Sequence, residues 1–171
     1  MSPEKSKIEG IKRAKVVMLG APAVGKTSLV RQYVHSVFSE THLSTLGVKV
    51  DRRTVEVGAT SVSLLLWDMH GETEGLDVPR NYLTGATSGL LVFDQGRPET
   101  FDTAHSLGAR LLEASPNASV YIVANKADLA VDQSELVGAL GTKPFVPTSA
   151  KTGAGVEELF DMVAKGVVER G

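Results

Sequence analysis

Residues 20–27, Gly20-Ala21-Pro22-Ala23-Val24-Gly25-Lys26-Thr27, fit the spacing G-x-x-x-x-G-K-[ST]. Glycines at these places let the backbone wrap a phosphate chain. The loop N–H groups and the amino end of the helix that follows then face the anionic oxygens. Lys26 can reach the outer phosphates as a point charge, and the Thr27 hydroxyl is suited to magnesium. Ala23, Val24, Gly25, Lys26, Thr27 and Ser28 are therefore the candidate contacts to a phosphate chain. Read alone, the segment could also be a glycine turn joining a strand to a helix, and it does not specify a base.

Three further groups bear on that choice. Asn125-Lys126-Ala127-Asp128 ends with a carboxylate, and guanine offers it two adjacent donors, N1–H and the 2-amino group, whereas adenine offers no such pair. The same four residues also read as a polar turn with Asp128 as a helix cap. Thr148-Ser149-Ala150-Lys151 would add a backbone N–H to the base carbonyl and packing beneath the base. Asp68, after Trp67, can hold magnesium through water, and Gly71 leaves its N–H free to approach a terminal phosphate. Thr45 lies in a polar stretch where its hydroxyl could sense magnesium and the last phosphate. Asp68 read alone is equally a residue ending a strand.

These groups must be positioned by a scaffold, and the hydrophobic pattern describes one. Residues 15–19 are an apolar run ending at Gly20, followed by Leu29, Val30, Tyr33, Val34 and Val37 at helical spacing. Residues 48–57 alternate but slip phase around Arg52-Arg53, which predicts a bulge. Gly58-Ala59 then turns the chain into residues 62–67, as an antiparallel hairpin. Residues 90–93, 120–123 and 145–146 are apolar without alternation, as in strands covered on both faces. Residues 99–114 and 134–140 read as helices, and Val156, Leu159, Phe160, Val163 and Val167 form a closing helical stripe. The predicted fold is α/β: three layers, doubly wound, with a mainly parallel six-stranded sheet, one antiparallel edge strand and the ligand site at the carboxyl ends of the strands. Residues 1–13 read as a basic extension and residues 14–171 as one domain.

Composition narrows the chemistry. The chain has 171 residues, 42% of them apolar and 22% charged, which suits one soluble globular domain. Eighteen basic residues against 20 acidic ones give no reason to expect nucleic acid or an anionic membrane as partner. The sequence contains no cysteine, which excludes thiolate catalysis, cysteine-ligated zinc, iron–sulfur clusters and any thioether or thioester lipid anchor within it. Without a secretory pattern at its start, the chain is expected in the cytoplasm.

In sequence order these motifs resemble those of the Ras-superfamily small GTPases, most closely the Rab and Ran branches, over about residues 14–168. Residues 20–27 are similar to the family's phosphate loop, and Thr45 in Thr-Leu-Gly-Val to its first switch. Trp67-Asp68-x-x-Gly71 resembles the second switch. Asn125, Lys126 and Asp128 resemble the guanine-specificity motif, and Ser149, Ala150 and Lys151 the last base contact. The resemblance implies a GTP/GDP switch that uses Mg²⁺ held by Thr27, Thr45 and Asp68. Phe38 would pack against the base, and Thr45 and Gly71 would hold their loops to the third phosphate until hydrolysis releases them. It also implies protein effectors and regulators that bind through residues 39–48 and 69–84.

Departures from the pattern concern catalysis, for which Lys26, Gly71, Glu72 and His70 are the candidate residues. The family has Gln after the second-switch glycine, and this chain has Glu72. A Gln amide can accept from the attacking water and donate to phosphoryl oxygens, whereas an ionised carboxylate only accepts and repels the phosphate, so hydrolysis is expected to be slow. His70 stands where the family usually has a small residue and could orient water or simply fill space. Pro22 removes an N–H from the phosphate loop and adds bulk beside the third phosphate. Two alternatives stay open: a hydrolysis-deficient pseudo-GTPase acting as an interaction module, favoured by Glu72 and Pro22, and a phosphate-loop ATPase or kinase, opposed by Asp128.

Overall fold

The computed structural model describes residues 9–34, 40–43, 47–69 and 78–171. Among these residues seven strands form one sheet: β1 (Glu9–Leu19), β2 (Glu40–Leu43), β3 (Val48–Val57), β4 (Thr60–Met69), β5 (Ser88–Asp94), β6 (Ser119–Asn125) and β7 (Val146–Pro147). Among the described residues five helices flank it: α1 (Lys26–Val34), α2 (Arg80–Leu83), α3 (Thr100–Ala114), α4 (Gln133–Leu140) and α5 (Val156–Arg170). The strand order is β2-β3-β4-β1-β5-β6-β7. β1 lies parallel between β4 and β5, with Val17 opposite Trp67 on one side and Gly89 on the other. The chain thus winds first to one side of β1 and then to the other. Such a reversal opens a crevice at the carboxyl ends of the central strands.

Two apolar layers form because the central strands are apolar on both faces. β5 is buried at all of its positions. On one face, Val16, Met18, Leu64, Leu66, Leu90 and Val92 pack under α1 and α5, where Tyr33 stacks on Phe160 with ring centroids 4.0 Å apart. On the other, Val17, Leu19 and Leu91 pack under α2 and α3 through Tyr82, Leu83, Leu107 and Leu111. This is the doubly wound, mainly parallel sheet that alternating strands and helices predict.

The structure differs from the sequence reading in several details. β2 pairs antiparallel with β3 from Glu40↔Arg52 to Leu43↔Lys49, so β3, the one strand running against the others, is not at the edge. No bulge interrupts β3, whose pairing with β4 is continuous from Val48↔Met69 to Val57↔Thr60. The apparent phase slip reflects a change of covered face: Val48 and Val50 pack with the α2–α3 layer, Val55 and Val57 with the α1–α5 layer. Arg53 occupies the latter face by laying its guanidinium over the Tyr33 ring, 4.0 Å from the centroid. β1 begins at Glu9, which pairs with Thr60 of β4, and the pairing continues from Lys12↔Val62 after a register shift, so residues 9–13 belong to the sheet. The far edge is less covered than an unbroken apolar run suggests, with Val120 and Phe145 exposed.

Candidate functional site

At the carboxyl end of β1 the chain turns tightly from strand to helix. A Cβ on Gly20 would stand 2.3 Å from the Val92 carbonyl oxygen, and one on Gly25, where φ is +101°, 2.2 Å from Asn125 Nδ2. Only glycine fits either place. Ala23 also has a positive φ, 63°. Lys26 is buried, and its Nζ donates to the carbonyls of Gly20 and Ala21, each at 2.9 Å. The loop therefore curls around its own ammonium group at the start of α1. Among the described residues, no protein acceptor takes the N–H groups of Ala23, Val24 or Gly25. Consecutive unengaged N–H groups at a helix start suit an anion.

The end of β4 meets this loop. Thr27 Oγ1 donates to Asp68 Oδ2 at 2.6 Å, and Asp68 is buried. Tyr82 holds the strand end by donating its hydroxyl to the Trp67 carbonyl at 2.5 Å, and burial with the neighbouring Asp68 charge pushes its phenol well above the usual range. Lys15 covers the Trp67 ring at 3.8 Å from its centroid and donates to the Thr84 carbonyl at 2.9 Å. A hydroxyl and a carboxylate in contact are hard oxygen donors that fit Mg²⁺, which commonly keeps several waters and takes its remaining ligands from phosphate. Among the described residues no group of three or more His, Asp or Glu could hold a metal by itself.

The end of β6 supplies the third part. Asn125 is buried and joins two loops: Nδ2 donates to the Val24 carbonyl at 2.9 Å, while Oδ1 accepts from Thr148 Oγ1 at 3.0 Å and the Ala150 N–H at 3.3 Å. Asp128 Oδ1 accepts from Ser149 Oγ at 2.8 Å, and that hydroxyl accepts from the Thr152 N–H at 3.1 Å. Asp128 is thus oriented from behind while its residue stays exposed. A cavity of about 320 Å³ is lined by Asn125, Lys126, Asp128, Ala150 and Lys151 together with Gly25 and Ser28. A second, of about 300 Å³, is lined by Ala23, Lys26 and Thr27 and shares Gly25, Ser28 and Lys126 with the first. The two cavities therefore adjoin, one beside Asp128 and the other at the phosphate loop.

Two residues the sequence reading passed over, Asp94 and Arg97, support the phosphate loop from outside these cavities. Lys126 has φ +65°, and its Nζ donates to the Ala23 carbonyl at 3.1 Å and pairs with Asp94 Oδ2 at 2.9 Å. Arg97 pairs through Nε with the same oxygen at 3.1 Å and donates from Nη2 to the Pro22 carbonyl at 3.3 Å. Burial pushes the Asp94 carboxyl up, but hydrogen bonds from Lys126, Arg97 and the Gly96 N–H outweigh it and hold the group below the usual carboxylate value. The available signal was a carboxylate at the carboxyl end of β5, next to β1. The structure brings together Ala23, Val24, Gly25, Lys26, Thr27, Ser28, Asp68, Asn125, Lys126, Asp128, Ser149, Ala150 and Lys151. Phe38, Thr45, His70, Gly71 and Glu72 lie outside the described residues.

Comparison with known proteins agrees with this arrangement. Residues 15–169 match the Ras family. The chain is 33% identical over 164 residues to the Ras-related protein Rab-4B of Rattus norvegicus, and the same figures hold for Rab-4B of Homo sapiens and of Mus musculus. Each alignment covers 91% of this chain and 76% of the relative. With the phosphate loop, the Asn125–Asp128 turn and the doubly wound sheet in one arrangement, the chain belongs to the Ras family, as a Rab-like small GTPase that binds GTP.

Proposed function

We propose that this protein is a GTP/GDP switch with slow, Mg²⁺-dependent hydrolysis. The observation that carries this reading is the pair of adjoining cavities, one lined by Asp128 and the other by Lys26, about the layout a guanine base and its phosphates require. Asp128, held by Ser149, accepts from guanine N1–H and the 2-amino group. Gly25 to Ser28 face the phosphates with N–H groups, and Lys26 turns its ammonium from the loop carbonyls to the outer phosphate oxygens. Thr27, Thr45 and, through water, Asp68 would hold Mg²⁺, which would offset charge on the outer phosphates. In hydrolysis, a water oxygen bonds to the third phosphorus as the bond to the GDP oxygen breaks. Lys26 and the Gly71 N–H stabilise the charge that builds up. Glu72 is the reason for a low rate, since a carboxylate cannot donate to the phosphoryl oxygens as an amide does. His70 is a further candidate for orienting the water, and Phe38 for packing on the base. Loops held by Thr45 and Gly71 in the GTP form relax after phosphate leaves, altering the surfaces at residues 39–48 and 69–84 that receive protein effectors and regulators. The same reading places the protein in the cytoplasm.

Competition binding and single-turnover phosphate release test this reading. GDP and GTP should bind well ahead of ATP, and Asp128→Asn should move preference toward xanthine nucleotides. ATP bound as tightly as GTP would overturn the guanine assignment. Glu72→Gln should raise the rate of phosphate release. Release from neither protein would favour the second reading, a nucleotide-dependent interaction module, which Pro22 in the loop also supports.

A further inference from the structure

Three consecutive carbonyls of the phosphate loop, those of Pro22, Ala23 and Val24, are each taken by a side-chain donor from beyond the loop: Arg97, Lys126 and Asn125. In a trans peptide the C=O and the following N–H point in opposite directions, and the described residues contain no cis peptide bond. Engaging these carbonyls therefore sets the N–H groups of Ala23, Val24 and Gly25 the other way. Those are the groups without a protein acceptor among the described residues. Lys126 and Asn125 belong to the base-recognition turn, but Arg97 does not. Neither of the two adjoining cavities has Arg97 or Pro22 in its lining. Arg97 is 43% exposed along its side chain and would be free to wander without a fixed partner, which Asp94, buried at 4%, provides.

We propose that Arg97, anchored by Asp94, is a positioning residue of the phosphate loop: it fixes the Pro22 carbonyl and thereby directs the Ala23 N–H toward an outer phosphate. The role depends on the fork of the guanidinium, since one nitrogen pairs with Asp94 and another reaches the loop. It also bears on Pro22. Proline fixes its own φ, so the orientation of the peptide that follows turns on ψ of Pro22, which a contact to its carbonyl holds. Asp94 holds Lys126 as well, so one carboxylate governs two adjacent peptides of the loop. This inference rests on the nucleotide-binding reading above.

Equilibrium binding of GDP and GMP, measured side by side, tests it. Arg97→Ala should weaken GDP by about 3- to 10-fold, the value of one hydrogen bond, and GMP by less than about 2-fold. Arg97→Lys should fall between, because one ammonium cannot make both contacts at their present geometry. Asp94→Asn should weaken GDP in the same direction, although it removes a negative charge near the phosphates. Unchanged GDP affinity in Arg97→Ala, equal losses on GDP and GMP, or tighter GDP binding by Asp94→Asn would each overturn the role. If the parent protein prefers ADP, the guanine reading fails while the same ratio is read on ADP and AMP. Binding of none of these nucleotides overturns both.

Discussion

Asp94 shows how much of the site is electrostatic support rather than ligand contact. Its carboxylate lies under the phosphate loop with Lys126 and Arg97 on it, and these partners hold its pKa below the ordinary value of 3.8 despite burial. The unfolded chain then takes up the proton before the folded one. The stabilisation is complete above the unfolded pKa and lost as pH falls through the lower folded one. Denaturant unfolding of the parent and Asp94→Asn proteins should show a stability gap that is flat from about pH 7 to 5 and closes below about pH 4. A gap that widens on acidification would mean that the ionised form is not the one the fold favours. Nothing in the spacing of Asp94 or Arg97 announced this arrangement. Residues of the phosphate loop and the Asn125–Asp128 turn were legible because a nucleotide demands particular types at fixed offsets. Asp94 and Arg97 act through backbone carbonyls, which any residue supplies.

Among the elements, β3 shows why periodicity alone misleads. Its apolar residues change faces between Val50 and Val55, and the sequence reads that as a bulge, but the β3–β4 ladder is continuous. The face left to Arg53 is filled by a guanidinium over the Tyr33 ring, with Nη1 donating to the Tyr33 carbonyl and to Glu157 Oε1, each at 2.8 Å. One side chain thus ties β3 to α1 and α5. The pair with Glu157 is exposed and worth little, so the stacked, hydrogen-bonded guanidinium carries most of the effect. Arg53→Ala should cost about 1–3 kcal/mol, read as a lower denaturation midpoint, whereas Glu157→Ala should cost less than about 1 kcal/mol. Equal losses would assign the tie to the ion pair. The longer apolar strands and α3 and α5 were legible because each buries a long stripe. β2 was not, since an edge strand of four residues is held by its backbone pairing, and α2, also of four residues, is too short to show a helical period.

Taken whole, the molecule gathers its site from distant parts of the chain. The ends of β1, β4, β5 and β6 and the turn after β7 meet at one edge, and residues 22 and 97, 24 and 125, and 27 and 68 are hydrogen-bonded there. A nucleotide in this opening would touch segments from both halves of the sheet, so it would stabilise the folded chain as a unit rather than one loop. Linkage sets the size: at about a thousand times its dissociation constant, a ligand that binds only the folded state adds about 4 kcal/mol. For a domain of this length that corresponds to a rise in Tm of roughly 8–16 °C. Thermal unfolding with saturating GDP and Mg²⁺ should show one transition displaced upward by that order, with ATP at the same concentration giving a smaller shift. Chelating the metal should take back part of the gain if Thr27 and Asp68 hold it. A GDP-dependent shift confined to part of the unfolding signal, with the rest melting at the unliganded temperature, would show that the two halves of the sheet are not coupled through the site.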